Sequence, residues 1–325
     1  MHDTRRILLA AAGLLGLFLA APHASAQYPA RPVRVVVPVP PGGGVDIVAR
    51  AIGEKLSPRI GQPVVIDNKP GAGTTIGTDA AAKSAPDGYT LLVGPIGGQA
   101  IVQSTFRNLG FDFRRDFAAV SRIGYGTIVL VVPAGSAANS VKELVDMAKA
   151  KPGHLTFASS GTGALIHLTG EMFRQAAGID LTHVPYKGTT QILPDLLDGR
   201  VDMALDSLPA YLPHIKSGKV RALAVASPRR SALMPDLPTM TEAGTPGVVA
   251  STDYGMFAPA GTPKEAIALL NREMQAVLAM PDLRAKLGAS GIEVVGGTPE
   301  SLQAEFADEM AKWARVVKGA NLKPQ

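Results

Sequence analysis

Apolar and polar positions along the chain alternate between two patterns. Val33–Val37 (VRVVV) is a β-branched run, as expected of a strand buried on both faces. Pro40-Pro41-Gly42-Gly43-Gly44 breaks it. Val45, Val48, Ile52 and Leu56 then recur at the spacing that lines one face of a helix. Ser57-Pro58 is expected to stop that helix, because proline lacks the N–H and crowds the preceding turn. Asp46 falls in its first turn, where a carboxylate suits the positive end of the helix dipole. The alternation continues. Strands are expected at 64–67, 89–93, 127–132, 155–158, 182–185, 201–205, 220–226, 254–258 and 293–295. Helices are expected near 75–84, at Val141–Ala150, from residue 164 to Gly178, over 263–280 and from Thr298-Pro299 through Trp313. Ser140 and Glu143 form a capping box for the second of these, and Gly178 suits a C-terminal cap for the third. The stretch between 93 and 127 reads as irregular, and 228–247 as a proline-rich connection.

Strands alternating with helices at this spacing argue for an α/β fold with mainly parallel sheets. Two blocks share one layout of strand, glycine-rich loop and helix, near residue 42 and near residue 161. Ligands of open α/β sheets sit beyond the carboxyl ends of the strands. Two such blocks, from two lobes, could face each other across a cleft.

The N-terminus adds an address to this picture. Two arginines precede the apolar run ILLAAAGLLGLFLA, and Ala24-Ser25-Ala26 supplies the small-x-small pattern of a signal-peptidase site. Residues 1–26 therefore read as a cleavable secretory signal peptide, with cleavage after Ala26 and a periplasmic destination. The apolar run is shorter than the roughly 20 residues a membrane span needs. At 325 residues the chain has length for two lobes, and its 46% hydrophobic and 18% charged residues describe a globular protein. The absence of cysteine excludes disulfide scaffolds, thiolate metal sites, cysteine nucleophiles and a lipidated N-terminal cysteine. A net charge of +5 is carried by scattered residues and arginine pairs, so nucleic acid is not an expected partner.

Candidate chemistry concentrates in the glycine-rich loops. Gly42 and Gly43 lie between a strand and a helix start, where glycine lets the backbone approach a ligand and N–H groups face an anion; a plain tight turn reads equally well. Ser159, Ser160, Thr162 and Gly163 have the same context with hydroxyls added, for capture of a carboxylate or phosphate or for helix capping. Tyr186-Lys187 follows a strand and could hydrogen-bond an acidic ligand or form an exposed turn. Asp206 ends a strand, as a cleft acceptor or as the cap of the next helix. Gly71-x-Gly73-x-x-x-Gly77 resembles a dinucleotide loop, but the following strand ends in Gly94-Pro95 rather than an acidic residue, so no cofactor is expected. Ser160 and His167 could be imagined in a hydrolase triad, yet no Gly-x-Ser-x-Gly elbow is present, and the histidines show no zinc spacing. No catalytic residue and no metal site are expected.

The segments VRVVVPVPPGGGVDIVAR (33–50), GQPVVIDNKPGAG (61–73), APDGYTLLVG (85–94), VPYKG (184–188), HIKSGKVRALAV (214–225) and FAPAGTP (257–263) together resemble the Bug-type extracytoplasmic solute receptors of tripartite tricarboxylate transporters. The resemblance covers essentially the whole chain after the signal peptide. It implies a two-lobed periplasmic-binding-protein fold of the Venus-flytrap, type II-like kind, built on two mainly parallel or mixed sheets. It also implies a small organic anion held by backbone N–H groups, hydroxyls and waters. Carried over by position, the first-lobe contacts are Gly42, Gly43 and a loop holding Gly97 and Gln99; those of the second lobe are Ser159, Thr162, Gly163, Tyr186 and Asp206. Val39, Val45 and Ala164 stand where the family usually has Phe, Thr or Ser, and Ser, which implies an altered pocket.

The resulting expectation is lobe 1 at 27–124 plus 228–325 and lobe 2 at 125–227, with crossings near 125–127 and 226–227 acting as hinges. The partners expected are a small carboxylate and the membrane subunits of a tripartite transporter, for a monomeric receptor without catalytic activity. The alternatives are a ligand sensor for a signalling kinase and, more remotely, a secreted serine hydrolase.

Overall fold

The computed structural model describes residues 28–106, 108–186 and 188–320. The expected signal peptide and its cleavage point after Ala26 lie outside these residues, as does Lys187. Strand β1 (Val33–Val37) pairs in parallel with β2 (Val64–Asn68) and β3 (Thr90–Pro95). β9 (Ser251–Pro259) runs antiparallel between β3 and β4 (Phe117–Pro133). β4 then continues into a second group of strands. From Ile128 onward it pairs antiparallel with β7 (Met203–Ser207) and β8 (Val220–Val225). β5 (Thr156–Ser159) lies parallel to β7 and to β6 (Thr182–Pro185), and β10 (Ile292–Val294) joins β4 at Gly124–Gly126. The sheet order is β2-β1-β3-β9-β4-β7-β5-β6, a mixed α/β arrangement in which one 17-residue strand links both groups.

The helices are α1 (Gly44–Ile60), α2 (Thr75–Ala82), α3 (Ile96–Thr105), α4 (Phe113–Asp116), α5 (Val141–Ala150), α6 (Leu165–Ala177), α7 (Thr189–Leu197), α8 (Leu208–Lys216), α9 (Lys264–Leu278), α10 (Pro281–Ala289) and α11 (Pro299–Gly319). One apolar core, from Leu92, Ile96, Phe257 and Trp313 to Leu130, Phe157 and Phe173, runs through both strand groups.

Most strands begin or end within two residues of the expected positions, but four features depart from the sequence reading. Helix α1 runs past Pro58 and stops at Gly61, which takes the left-handed conformation (φ 69°). Proline is tolerated there because it sits in the last turn, where Ser57 Oγ donates to Gly53 O at 2.7 Å and accepts from Val64 N at 3.0 Å. β4 begins ten residues early, at Phe117, inside the stretch expected to be irregular, and it carries Gly124 and Gly126. Those glycines mark close approaches: a Cβ on Gly126 would lie 2.9 Å from Tyr254 Oη, and one on Gly124 would collide with the Glu293 carbonyl. Residues 96–105 are helical rather than irregular, and α10 is a further helix that follows α9 after Ala279-Met280. β4 changes partner between Thr127 and Ile128, while 226–250 stays beside β8, with Met240 N donating to Val225 O at 2.8 Å, before the chain returns in β9.

Gly77 explains part of the glycine pattern without a nucleotide. A Cβ there would sit 2.6 Å from Lys69 O and 2.9 Å from Pro38 Cα, both backbone atoms. Gly77→Ala should therefore push α2 off the end of β1 and cost about 1–3 kcal/mol. Scanning calorimetry checks this; an unchanged Tm would mean that α2 can shift freely.

Candidate functional site

The loop before α1 is pinned from within. Asp46 is only 3% exposed; its Oδ2 accepts from Gly42 N and Arg50 Nε, each at 2.9 Å, and its Oδ1 accepts from Asn68 Nδ2 at 2.9 Å. Asn68 Nδ2 also donates to Val39 O at 3.1 Å. Burial pushes the Asp46 carboxyl up, but hydrogen bonds from Arg50, Gly42 and Asn68 outweigh it and hold the group below its ordinary range. The Gly42 N–H is thus spent on Asp46, and Gly43 N donates to Pro40 O at 3.4 Å. Gly43 is the N-cap of α1 in extended backbone (φ −73°, ψ 163°), and no side chain caps the helix. The donors left for a ligand at this loop are therefore those of the first turn, from Gly44 onward, rather than those of Gly42 and Gly43.

The expected Gly97–Gln99 loop is the start of α3. Gly97 packs under α11, where a Cβ would stand 3.1 Å from Trp313 Nε1 and from Glu309 Oε2. This contact forces the helix despite the glycines' weak propensity. Gln99 is fully buried and donates through Nε2 to Thr78 Oγ1 at 2.8 Å and Thr74 Oγ1 at 3.2 Å, while its Oε1 has no partner. Thr74 and Ala72 carry positive φ (86° and 43°), a strained turn that nothing in the sequence signalled.

The second loop has the same architecture. Gly161 and Gly163 adopt φ of 126° and 78°, which other residues resist. Ser160 is half-buried and Thr162 exposed. Ser159 is fully buried and its Oγ lies 2.6 Å from His183 Nε2. Gly163 N donates to His167 Nδ1 at 3.0 Å. Ala164 is the N-cap of α6, again extended (φ −72°, ψ 161°) and again without a side-chain cap. A Cβ on Gly163 would lie 3.8 Å from Thr105 Cγ2, and one on Gly73 3.8 Å from the Phe106 ring. The loop before α6, the end of α3 and the turn at 71–74 are therefore neighbours.

Two further expected contacts have protein partners for their polar atoms. Tyr186 Oη donates to Asp195 Oδ2 at 2.7 Å, and burial with that carboxylate pushes the phenol up to about 12. Asp206 is 1% exposed; it accepts from Ser207 N at 2.7 Å and Tyr211 Oη at 3.2 Å, and the Thr189 side chain bonds it as well. Burial raises its pKa against those hydrogen bonds. It holds the starts of α7 and α8 together. The Ser160–His167 pairing of a hydrolase is not formed, since His167 Nδ1 serves Gly163 and the serine beside a histidine is the buried Ser159. Among the described residues no cluster of histidines and carboxylates could hold a metal, and no helix is long and apolar enough to cross a membrane. An aromatic cavity of about 90 Å³ between Phe113, Phe117, Phe257 and Phe306 shares no residue with these loops.

The two histidines set a pH dependence. Burial, with Arg174, lowers His167 to about 4; burial, with His167 and against Glu171, does the same to His183. The fold thus binds the neutral rings, whereas the unfolded chain protonates them near 6.5. Their contribution is complete above about 6.5 and is lost as pH falls toward 4. Glu305, raised to about 7 by burial, runs the opposite way, so the effect must be read as a difference. Urea unfolding of the parent and of His167→Asn/His183→Gln should show the balance shifting against the parent between pH 6.5 and 4. A constant difference would place these titrations elsewhere.

Comparison with known proteins bears on the whole chain. Residues 48–322 match the family described as tripartite tricarboxylate transporter family receptor. The protein BugT of Bordetella pertussis is 40% identical over 326 residues, covering 99% of this chain and all of BugT. A Rhodopseudomonas palustris structure with adipate superposes with a TM-score of 0.85 at 36% identity, covering 92% of this chain and 100% of that one. MatC from the same organism, with bound malate, gives 0.79 at 32% identity, covering 89% and 100%.

Proposed function

The chain belongs to the tripartite tricarboxylate transporter receptor family, and we propose that it captures a small organic acid between the loop before α1 and the loop before α6. The family's members are substrate-binding receptors, not enzymes. One observation carries the reading. Two helices begin from glycine-rich loops at Gly43 and Ala164, and neither has a side-chain cap, so first-turn N–H groups remain for an anion at two positive dipole ends. Adipate and malate, held by the two solved relatives, are dicarboxylates, and a dicarboxylate offers one charge to each helix start.

On this reading the first lobe is 27–124 plus 228–325 and the second 125–227, with β4 as one connecting strand. Gly42, Gly43, Gly97 and Gln99 shape the first wall from behind rather than touching the acid. Ser160, Thr162 and Ala164 present the second wall, with Ser159, Gly163, Tyr186 and Asp206 as its support. Val39 and Ala164, small and apolar, leave room for a longer or less polar acid. The receptor acts as an exported monomer, cleaved after Ala26, that passes the acid to the membrane subunits of a tripartite transporter.

A thermal-shift screen of the chain from residue 27, against malate, adipate, neutral sugars and amines, tests the proposal. At a hundred times Kd a bound acid adds about 2.7 kcal/mol and raises Tm. A rise with sugars or amines alone would overturn the anion reading.

A further inference from the structure

We infer that His167 and His183 are positioning residues that hold the 159–164 loop in its shape from beneath. Parallel register sets Phe157 of β5 beside His183 of β6. His167, in the first turn of α6, stacks on His183 with centroids 3.9 Å apart, and Phe157 closes the group at 4.9 Å from His183. Each ring meets one end of the loop: His183 Nε2 is 2.6 Å from Ser159 Oγ, and His167 Nδ1 accepts from Gly163 N at 3.0 Å.

An aliphatic side chain would fill the same core volume. It would leave the Gly163 N–H without its partner and the buried Ser159 hydroxyl with only its bonds to Gly161 O and N at 3.2 Å, a cost large enough to reshape a short loop. Accepting from Gly163 requires a neutral His167 ring with its proton on Nε2. A protonated ring offers no lone pair at Nδ1 and repels its stacked neighbour. The charged groups around the pair are few. Glu171 and Arg174 on α6 pair with each other at 2.9 Å, Asp180 lies 4.0 Å from Arg174, and α3 carries no titratable side chain. Burial dominates, so both rings are neutral at neutral pH, with His167 Nδ1 free to accept from Gly163 N.

The consequence for binding rests on the proposed function: the bond turns the Gly163 N–H inward, and the uncapped first turn of α6 is left facing outward. The loop test itself needs no acid. In nitrogen-15 NMR of the unliganded parent, His167 should show the Nε2–H tautomer at pH 7. The Gly163 amide should shift with the same midpoint as the His167 ring, well below 6.5. A Gly163 amide that stays constant through that titration, or a His167 midpoint near 6.5, would overturn the proposal. The variants give a second reading. His167→Leu should speed Gly163 amide exchange about tenfold, whereas His167→Asn, whose Oδ1 can stand where Nδ1 stood, should restore protection. Equal exchange in parent and His167→Leu, or no rescue by asparagine, would also overturn it. Malate and adipate titrations separate the two readings. If the amide responds as described and neither acid binds the parent, the positioning role stands and the carboxylate reading falls.

Discussion

Gly43→Asp and Ala164→Asp should each weaken acid binding by more than about a hundredfold while leaving the fold at least as stable as before. Both positions are N-caps with extended backbone, the conformation in which aspartate caps best. A Cβ on Gly43 meets nothing closer than Pro40 O at 3.5 Å. The new carboxylate would take first-turn N–H groups and place a negative charge at the positive end of the dipole, where the ligand's charge is proposed to lie. Loss of the donors and like-charge repulsion together should exceed about 2.7 kcal/mol, a hundredfold in Kd. Stability runs the other way. Aspartate for alanine at an N-cap gains about 1 kcal/mol, and for glycine a few tenths. At Gly43 that gain is offset in part by Asp46, which is already held by Arg50 and Asn68. Calorimetric titration with malate and adipate, alongside Tm, reads both effects. Ala164→Ser is the neutral control, because it caps without adding charge. Parent-like affinity in Gly43→Asp would remove α1 from the site, and in Ala164→Asp would remove α6.

Asp206→Ala should produce the largest loss of stability. The side chain joins Ser207 N, Tyr211 Oη and the Thr189 side chain in a region where Tyr211 is fully buried. Alanine strands all three partners, and breaking such a buried network costs about 3–5 kcal/mol. Asp206→Asn should be much milder. The amide oxygen can still accept from Ser207 N while the amide nitrogen donates to a turned Tyr211 hydroxyl, and burial, which raises the carboxyl pKa, disfavours the charge that is removed. Urea unfolding at pH 7 distinguishes them. Equal losses in the two variants would show that the charge itself, not the acceptor geometry, holds α7 and α8.

Local pattern made the strands legible where the β-branched runs were short and bounded by turns, as at Val33–Val37, and the helices where caps were explicit, as at Ser140 and Gly178. It failed where tertiary contact overrode propensity. Gly97 and Gly98 read as loop, yet the Trp313 side chain needs a surface without a Cβ, and the helix forms around that need. Gly124 and Gly126 hid the first half of β4 for the same reason. At the candidate site, both glycine-rich loops were visible because each follows a strand and opens a helix. The direction of their donors was not. Asp46 turns the Gly42 N–H inward and His167 turns the Gly163 N–H inward, and neither bond has a sequence signature beyond an i, i+4 spacing. His183 was invisible as a member of the site, since only the β5–β6 register brings it to Ser159.

On the proposed reading the two uncapped helix starts hold the acid between them. A crystal structure of the chain from residue 27 with malate or adipate tests it most directly. One carboxylate should lie within hydrogen-bond distance of the first-turn N–H groups of α1 and the other within that distance of those of α6. An acid bound elsewhere, such as in the cavity between Phe113, Phe117, Phe257 and Phe306, with both helix starts left to water, would contradict it.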